Sequence, residues 1–409
     1  MKKITEAPII SSMLSSQSFL VEAGDSLKRI KLANIEEALA SSFTTPPTTY
    51  TLEGTSSPEF DLDSKWAAQV YQSYMGGYMM KIVNSKAYAA KLDPSNWNYF
   101  ADGTAVDDAS KYETMVHVPK CHFKASGKTM HFGGLSAVSG GKTFDSPEWV
   151  GAYLGYVDSS SVLHSRPDVA PSNYKSMTDF WTYAQNNNSN FGLANYGFHC
   201  LINALFQASY GNLNSQSVVG AGWQSSSWEA CRDVKMGLLR ELGDGTGSVL
   251  YNDSTVGDQH PTKLFGFEDL WGKLWEFRPG VRFYMDGDTR YAVVYSGNIV
   301  SNTADGRKIQ TFPASINGQF VKGMHLGEYW DMLPETGNGS DSTYYCDGCY
   351  AATGGELLRV GGLANDGSRC GLSYADSYNG FSLAYSLIGA RLAFYGSPII
   401  VDGSELMAM

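Results

Sequence analysis

The chain has little of several things, and each shortage removes a class of protein. Charged residues make up 17% of its 409 positions, against roughly a quarter in average soluble domains. Lysine and arginine total 30 against 41 aspartates and glutamates, a net charge of −11. No basic face is expected, which argues against a protein that coats nucleic acid or an anionic membrane. Six cysteines are too few for a disulfide scaffold and fit folding in a reducing cytoplasm. No segment stays apolar for the roughly 20 residues of a bilayer span. The best stretch, 382–401, is interrupted by Arg391, Gly396 and Pro398. Met1-Lys2-Lys3 meets Glu6 and Pro8 before any apolar run, so no secretory signal is expected. There is no fixed-period repeat, no Walker loop and no G-x-G-x-x-G fingerprint, which disfavours solenoids, propellers and nucleotide-binding folds. The seven histidines are scattered and none pairs with a local nucleophile motif, so no triad is proposed.

Apolar material is ample: 43% hydrophobic and 13% aromatic residues exclude wholesale disorder. With 44 glycines and 25 tyrosines, the composition describes a turn-rich fold with amphipathic rings available at its surface. Residues 1–43 read as a small attachment or oligomerisation unit. Phe19-Leu20-Val21-Glu22 and Leu27-Lys28-Arg29-Ile30-Lys31-Leu32 flank a hairpin signal at Gly24-Asp25, and Asn34 with Glu37 can open a short capped helix. A unit this small buries little by itself and is expected to lean on neighbouring copies or another protein; a plain hairpin packed on the main domain is the alternative. Residues 44–110 read as a stiff polar linker, Thr44-Thr45-Pro46-Pro47-Thr48-Thr49, and an irregular region with turns at Gly76-Gly77, Pro94 and Asp102-Gly103.

The main domain is expected over 111–396, with 397–409 as a tail. Tyr112 to His131 alternates as two strands around Ser126-Gly127. Ser176 can cap a helix carrying Phe180, Trp181 and Ala184. A second helix carries Phe198, Leu201, Ile202, Leu205 and Phe206 on one stripe and ends at Gly211. From Gly220 onward, short apolar strands alternate with Gly, Asn, Asp and Ser turns. The fold class is therefore α+β.

The enzyme motifs are thin. Cys346-Asp347-Gly348-Cys349 is a lone Cys-x-x-C, and a zinc site would need two more ligands such as Cys370 and His325, at no supporting spacing. Asp286-Gly287-Asp288 and Asp244-Gly245 read as turns, since neither carries the calcium-loop ligand series. Two other segments say more. Gly266-Phe267-Glu268-Asp269-Leu270-Trp271-Gly272-Lys273-Leu274-Trp275-Glu276-Phe277 combines a glycine turn with two tryptophans four residues apart. Leu358-Arg359-Val360-Gly361-Gly362 is followed by Asn365 to Leu387, then Gly389-Ala390-Arg391-Leu392-Ala393-Phe394.

This ordered set resembles the C-type lectin fold in the version shared with formylglycine-generating enzymes. There a G-(I/L)-x-(N/D)-(L/M)-x-G-x-x-W-E-(F/W) core is followed by an R-x-G-G element and a terminal G-x-R-x-(A/V) strand. The likeness covers roughly residues 110–396. Together with Val118-Pro119-Lys120, Ser165-Arg166-Pro167-Asp168 and Asn195-Tyr196, the core motif is most similar to phage tail receptor-binding proteins. These are the variable proteins diversified by retroelements in phages of gut bacteria. The resemblance implies a variable region over 358–394, where Asn, Ser, Tyr, Asp, Phe and Leu stand between fixed Gly, Cys and Ala.

The residues of that region agree without the resemblance. Tyr374, Tyr378, Phe381 and Tyr385 alternate with Ser, Asn and Asp between glycines, the composition of an antibody-like paratope. Asn365, Asp366, Arg369, Ser373, Tyr374, Asp376, Tyr378, Asn379, Leu383 and Tyr385 are the expected receptor-binding residues, exposed mostly on one face. A buried strand pair whose tyrosines hydrogen-bond in the core is the structural alternative, and Tyr344 and Tyr345 suit either. Trp271, Trp275 and Phe277 are assigned to the core beneath, Gly272 to a special backbone conformation, and Glu276 to loop amides.

The expected function is a non-enzymatic adhesin at a phage tail tip that recognises a host bacterial surface receptor, glycan or protein. No cofactor, metal, nucleic acid or membrane insertion is expected. The N-terminal unit would join tail or baseplate proteins or sister chains, with a homotrimer implied by the resemblance. One alternative is a copper oxidase of the formylglycine-generating type, which holds copper with two thiolates of its C-terminal core. In the family pattern Cys370 stands at the second thiolate, but Asn365 occupies the place of the first. A purely structural baseplate protein is the other.

Overall fold

The computed structural model describes strands Ser18–Ala23, Ser26–Lys31, Tyr50–Thr51 and Glu59–Phe60 and residues 62–310 and 315–409. Ser18–Ala23 and Ser26–Lys31 form the expected antiparallel hairpin, with Ala23 opposite Ser26. The helix expected after Asn34 and the linker at 44–49 lie outside the described residues.

The region after the linker is not irregular. It carries helix α1 (Leu62–Tyr74) and strands β1 (Gly76–Val83), β2 (Lys86–Asp93) and β3 (Asn96–Phe100). The Gly76-Gly77 pair is part of β1 rather than a turn. A Cβ on Gly77 would lie 2.4 Å from the buried Trp97 ring, so the glycine serves close packing. Strand β4 (Glu113–His117) pairs with β1, and a hairpin of His122–Ser126 and Thr129–Gly134 follows around the Ser126-Gly127 turn. Residue 111 is therefore no boundary within the sheet.

Strand β5 (Trp149–Gly151) precedes helix α2 (Met177–Asn187), strand β6 (Phe191–Leu193) and helix α3 (Tyr196–Tyr210). Both helices start and stop where local chemistry directs. Ser176 and Asp179 close a reciprocal capping box on α2, worth about 1 kcal/mol. The Asn195 side chain accepts from the Phe198 amide, and Gly211 ends α3 in the left-handed region at φ 62°. Phe180 and Ala184 are buried, as is the whole α3 stripe.

Two sheets organise the rest. The second sheet holds β7 (Trp275–Phe277), β8 (Ile316–Phe320), β9 (Gly348–Ala351), β10 (Arg359–Gly361), β11 (Gly371–Ser377) and β12 (Ile388–Gly389). Its order is β8-β9-β11-β10-β7-β12, which makes β11 an interior strand. Strands β13 (Leu392–Phe394) and β14 (Ile399–Ile400) return to the first sheet, ordered β6-β13-β5-β4-β1-β2-β14. The segment 397–409 is thus no loose tail: β14 pairs parallel with β2, and helix α4 (Gly403–Ala408) sets Gly403 against the Phe100 ring. Few helices and many short, mostly antiparallel strands make an α+β fold.

The sheets are tied by a buried polar node. Arg391 Nε and Nη2 donate to the two carboxylate oxygens of Glu276 at 3.1 and 3.0 Å, and its remaining protons go to the carbonyls of Gly151, Ala152 and Glu268. Arg278 adds a 2.9 Å contact to the same carboxylate. Glu276 therefore meets guanidinium groups, not the loop amides expected of it. Burial alone would push its pKa up, but Arg278 and Arg391 hold it below the ordinary carboxylate value. Trp271 is fully buried and donates to the Gly220 carbonyl at 3.1 Å. Gly272 beside it has φ 86°, a conformation that favours glycine.

Candidate functional site

The segment from Asn365 to Tyr385 divides at Ser377. Every residue of β11 is buried, because the strand has a hydrogen-bonded neighbour on both edges and covered faces. Three expected contact residues consequently lie inside. Ser373 donates its amide to Asp347 Oδ2 at 2.7 Å. Tyr374 is fully buried, its ring centroid 6.2 Å from that of Tyr350, and its hydroxyl has no hydrogen-bond partner. Asp376 is 3% exposed and pairs with Arg359 Nη2 at 2.6 Å. None of the three can touch a macromolecule while the sheet is intact.

The chain surfaces immediately afterwards. Tyr378 is 51% exposed and Tyr385 49%, and the loop between them is held by groups outside it. Asp376 Oδ1 accepts the Tyr378 amide at 2.9 Å, and Arg359 Nη2 donates to Asn379 Oδ1 at 2.9 Å. Glu356 Oε2 accepts the Phe381 amide at 3.2 Å. Phe381 and Leu383 are half-buried against the apolar cluster that contains Phe277 and Ile388. Tyr174, 62% exposed at φ 55°, donates its amide to the Tyr385 carbonyl at 3.1 Å and adds a third surface tyrosine. Nothing in the sequence tied Tyr174 to this loop, since it lies over 200 residues upstream.

Trp275 is half-buried instead of lying in the core. The Arg359 guanidinium carbon sits 4.5 Å from its ring centroid, and its indole N–H donates to Asp366 Oδ2 at 3.1 Å. Asp366, half-buried, also accepts the Leu363 amide at 2.9 Å. Burial raises its pKa, with the Leu363 and Trp275 donors opposing and Asp376 adding to the rise. Trp275, Arg359, Asp366, Asp376 and Asn379 thus form one connected polar patch beneath the loop. Asn365 is exposed nearby in sequence, whereas Arg369 is turned toward β8, where Nε donates to the Gly318 carbonyl at 3.1 Å. Arg359 and Trp275 stand in the motifs singled out above; what escaped sequence reasoning was that they brace the loop.

The three thiols of residues 346–370 are buried. Cys370 is buried and donates to the Leu363 carbonyl at 3.1 Å; burial pushes its pKa well up. Burial also pushes the thiols of Cys346 and Cys349 up to about 12. Among the described residues, no group of three or more His, Cys, Asp or Glu side chains is placed to hold a metal ion. Asp286-Gly287-Asp288 forms the turn of the 281–294 hairpin, as expected. Asp244 is more than a turn residue: its Oδ1 accepts from the Gly77 amide and the Trp97 indole at 2.7 and 3.0 Å. No family profile and no curated protein sequence matches the chain.

Proposed function

We propose that the chain is a receptor-binding protein of a phage tail tip, a lectin-type scaffold presenting a surface loop to a receptor on a host bacterium. The observation that carries this reading is the exposed tyrosine surface of Tyr174, Tyr378 and Tyr385, braced by Arg359, Glu356 and Trp275 on a buried sheet. Rigid aromatic side chains on a pre-ordered loop lose little entropy on binding, and Asn379 and Asn365 add adaptable polar contacts. The contact set is Asn365, Tyr378, Asn379, Leu383 and Tyr385, with Tyr174 added. Asp366 and Asp376 act as supports, and Ser373 and Tyr374 belong to the scaffold. The N-terminal unit attaches to the tail or to sister chains, with a trimer as the assembly. The deep burial of Cys370 and its contact with Leu363 favour binding over copper oxidation. The test is adsorption of the labelled protein to a panel of gut bacteria: wild type should bind a subset of strains, and the double variant Tyr378→Ala/Tyr385→Ala should bind none while melting at the same temperature. Equal adsorption by both proteins would refute the loop as the contact surface.

A further inference from the structure

A concavity apart from the tyrosine surface is built from other parts of the chain. It encloses about 230 Å³ where the ends of α1 and α3 meet the loop around Asp244, and no residue of 365–385 lines it. One wall is apolar. Met75 and Phe265 are buried there, and the Tyr210 ring lies nearly parallel to that of Phe265, centroids 6.2 Å apart, with 37% of the residue exposed.

The other wall is polar, with its groups fixed in advance. Asp244 Oδ1 is occupied by the Gly77 and Trp97 donors, which sets the carboxylate and leaves Oδ2 as an acceptor. That oxygen stands over Gly76, 3.1 Å from where a Cβ would be. Gln72 Nε2 donates to Ser209 Oγ at 2.6 Å, which leaves its amide oxygen to accept. Thr246 Oγ1 accepts the Phe265 amide at 3.0 Å, so its own proton is available to donate.

This set of groups selects by charge. An anion would face the Asp244 carboxylate. A cation finds that carboxylate already within Coulombic reach of Lys91 and Lys263, and Lys91 Cε lies 3.4 Å from the same Cβ position on Gly76. What fits is a neutral ring with one apolar face and several hydroxyls, smaller than the ligands of roughly 300–1,000 Å³ pockets. We propose that this cavity is a saccharide subsite, taking one uncharged pyranose against Tyr210, with hydroxyls donating to Asp244 Oδ2 and the Gln72 amide oxygen. The inference does not depend on the tail-tip reading.

Saturation-transfer NMR on the full chain, with a panel of uncharged methyl pyranosides, tests it. At least one pyranoside should bind saturably. Tyr210→Ala should weaken that binding about tenfold, Tyr210→Phe should preserve it, and Gly76→Ala should weaken it by placing a methyl against Asp244 Oδ2. If Tyr210→Ala lowers the melting temperature, Gln72→Ala at its half-buried helix position gives the same readout. Leu250→Ala, at an exposed position outside both the cavity and the loop, should leave it unchanged. The proposal is overturned if no pyranoside saturates, if the Tyr210→Ala and Gln72→Ala proteins bind as wild type does, or if tetramethylammonium binds through Tyr210 and pyranosides do not.

Discussion

Residues 371–377 and 378–385 adjoin in the chain and share Gly, Ser, Tyr, Ala and Leu, with Asp only in the first and Asn and Phe only in the second, yet they have opposite fates. The first is an interior strand with every residue buried; the second is a loop whose two tyrosines are about half exposed. The difference lies in partners supplied from elsewhere. Asp347, Arg359 and Tyr350 meet Ser373, Asp376 and Tyr374, whereas the side chains of Tyr378 and Tyr385 meet solvent. Tyrosine beside small polar residues is thus as suitable for a satisfied core strand as for a binding surface, and only long-range contacts decide between them.

The largest effect is expected beneath both segments. Glu276→Gln leaves Arg278 and Arg391 buried without their charge partner and should cost about 3–5 kcal/mol of stability in urea unfolding. Tyr374→Ala should cost a similar amount, about 3–5 kcal/mol, as an aromatic truncation in a packed core. A Tyr374→Ala protein as stable as wild type would mean that residues 371–377 are not a packed core strand. Tyr378→Ala and Tyr385→Ala should each shift stability by no more than about 0.5 kcal/mol, while weakening binding to a susceptible host strain by about 1–3 kcal/mol.

Two smaller effects sharpen the contrast. The Tyr374 hydroxyl is buried without a partner, so Tyr374→Phe should be neutral or stabilising by up to about 1 kcal/mol. Burial raises the pKa of Asp347 well above the ordinary carboxylate value, with only the Ser373 amide opposing. Its folded-state pKa therefore exceeds its unfolded one, and ionised Asp347 costs stability increasingly as pH rises above about 4. Asp347→Asn keeps an acceptor for Ser373 and should melt with the parent near pH 4 but above it at pH 7. Parallel melting curves across that range would count against a strained carboxylate.

What was legible in the sequence was what short-range chemistry dictates. Ser176, Asn195 and Gly211 mark helix ends because each acts on backbone groups within four residues. Trp271 and Gly272 could be placed in the core because the turn and the ring share one motif. The α+β class followed from the same local signals. The strands at 76–100 were missed because Gly76-Gly77 carries the letters of a turn, whereas Gly77 is small to admit the Trp97 ring. Of the residues expected to lie exposed, Tyr378 and Tyr385 do, whereas Ser373, Tyr374 and Asp376 are buried. The groups that bury those three come from residues 347–359, beyond the reach of any periodicity.

Strand β13 has a consequence for biosynthesis. It lies between β5 and β6 inside the first sheet, and Arg391 just before it completes the node with Glu276. Most of that sheet is translated hundreds of residues earlier and waits with an open slot until positions 391–394 leave the ribosome. A chain halted anywhere in the exposed loop cannot fill the slot, so truncated products should remain unfolded and be cleared by proteases. Completion of the first sheet thus requires that translation has passed through the loop.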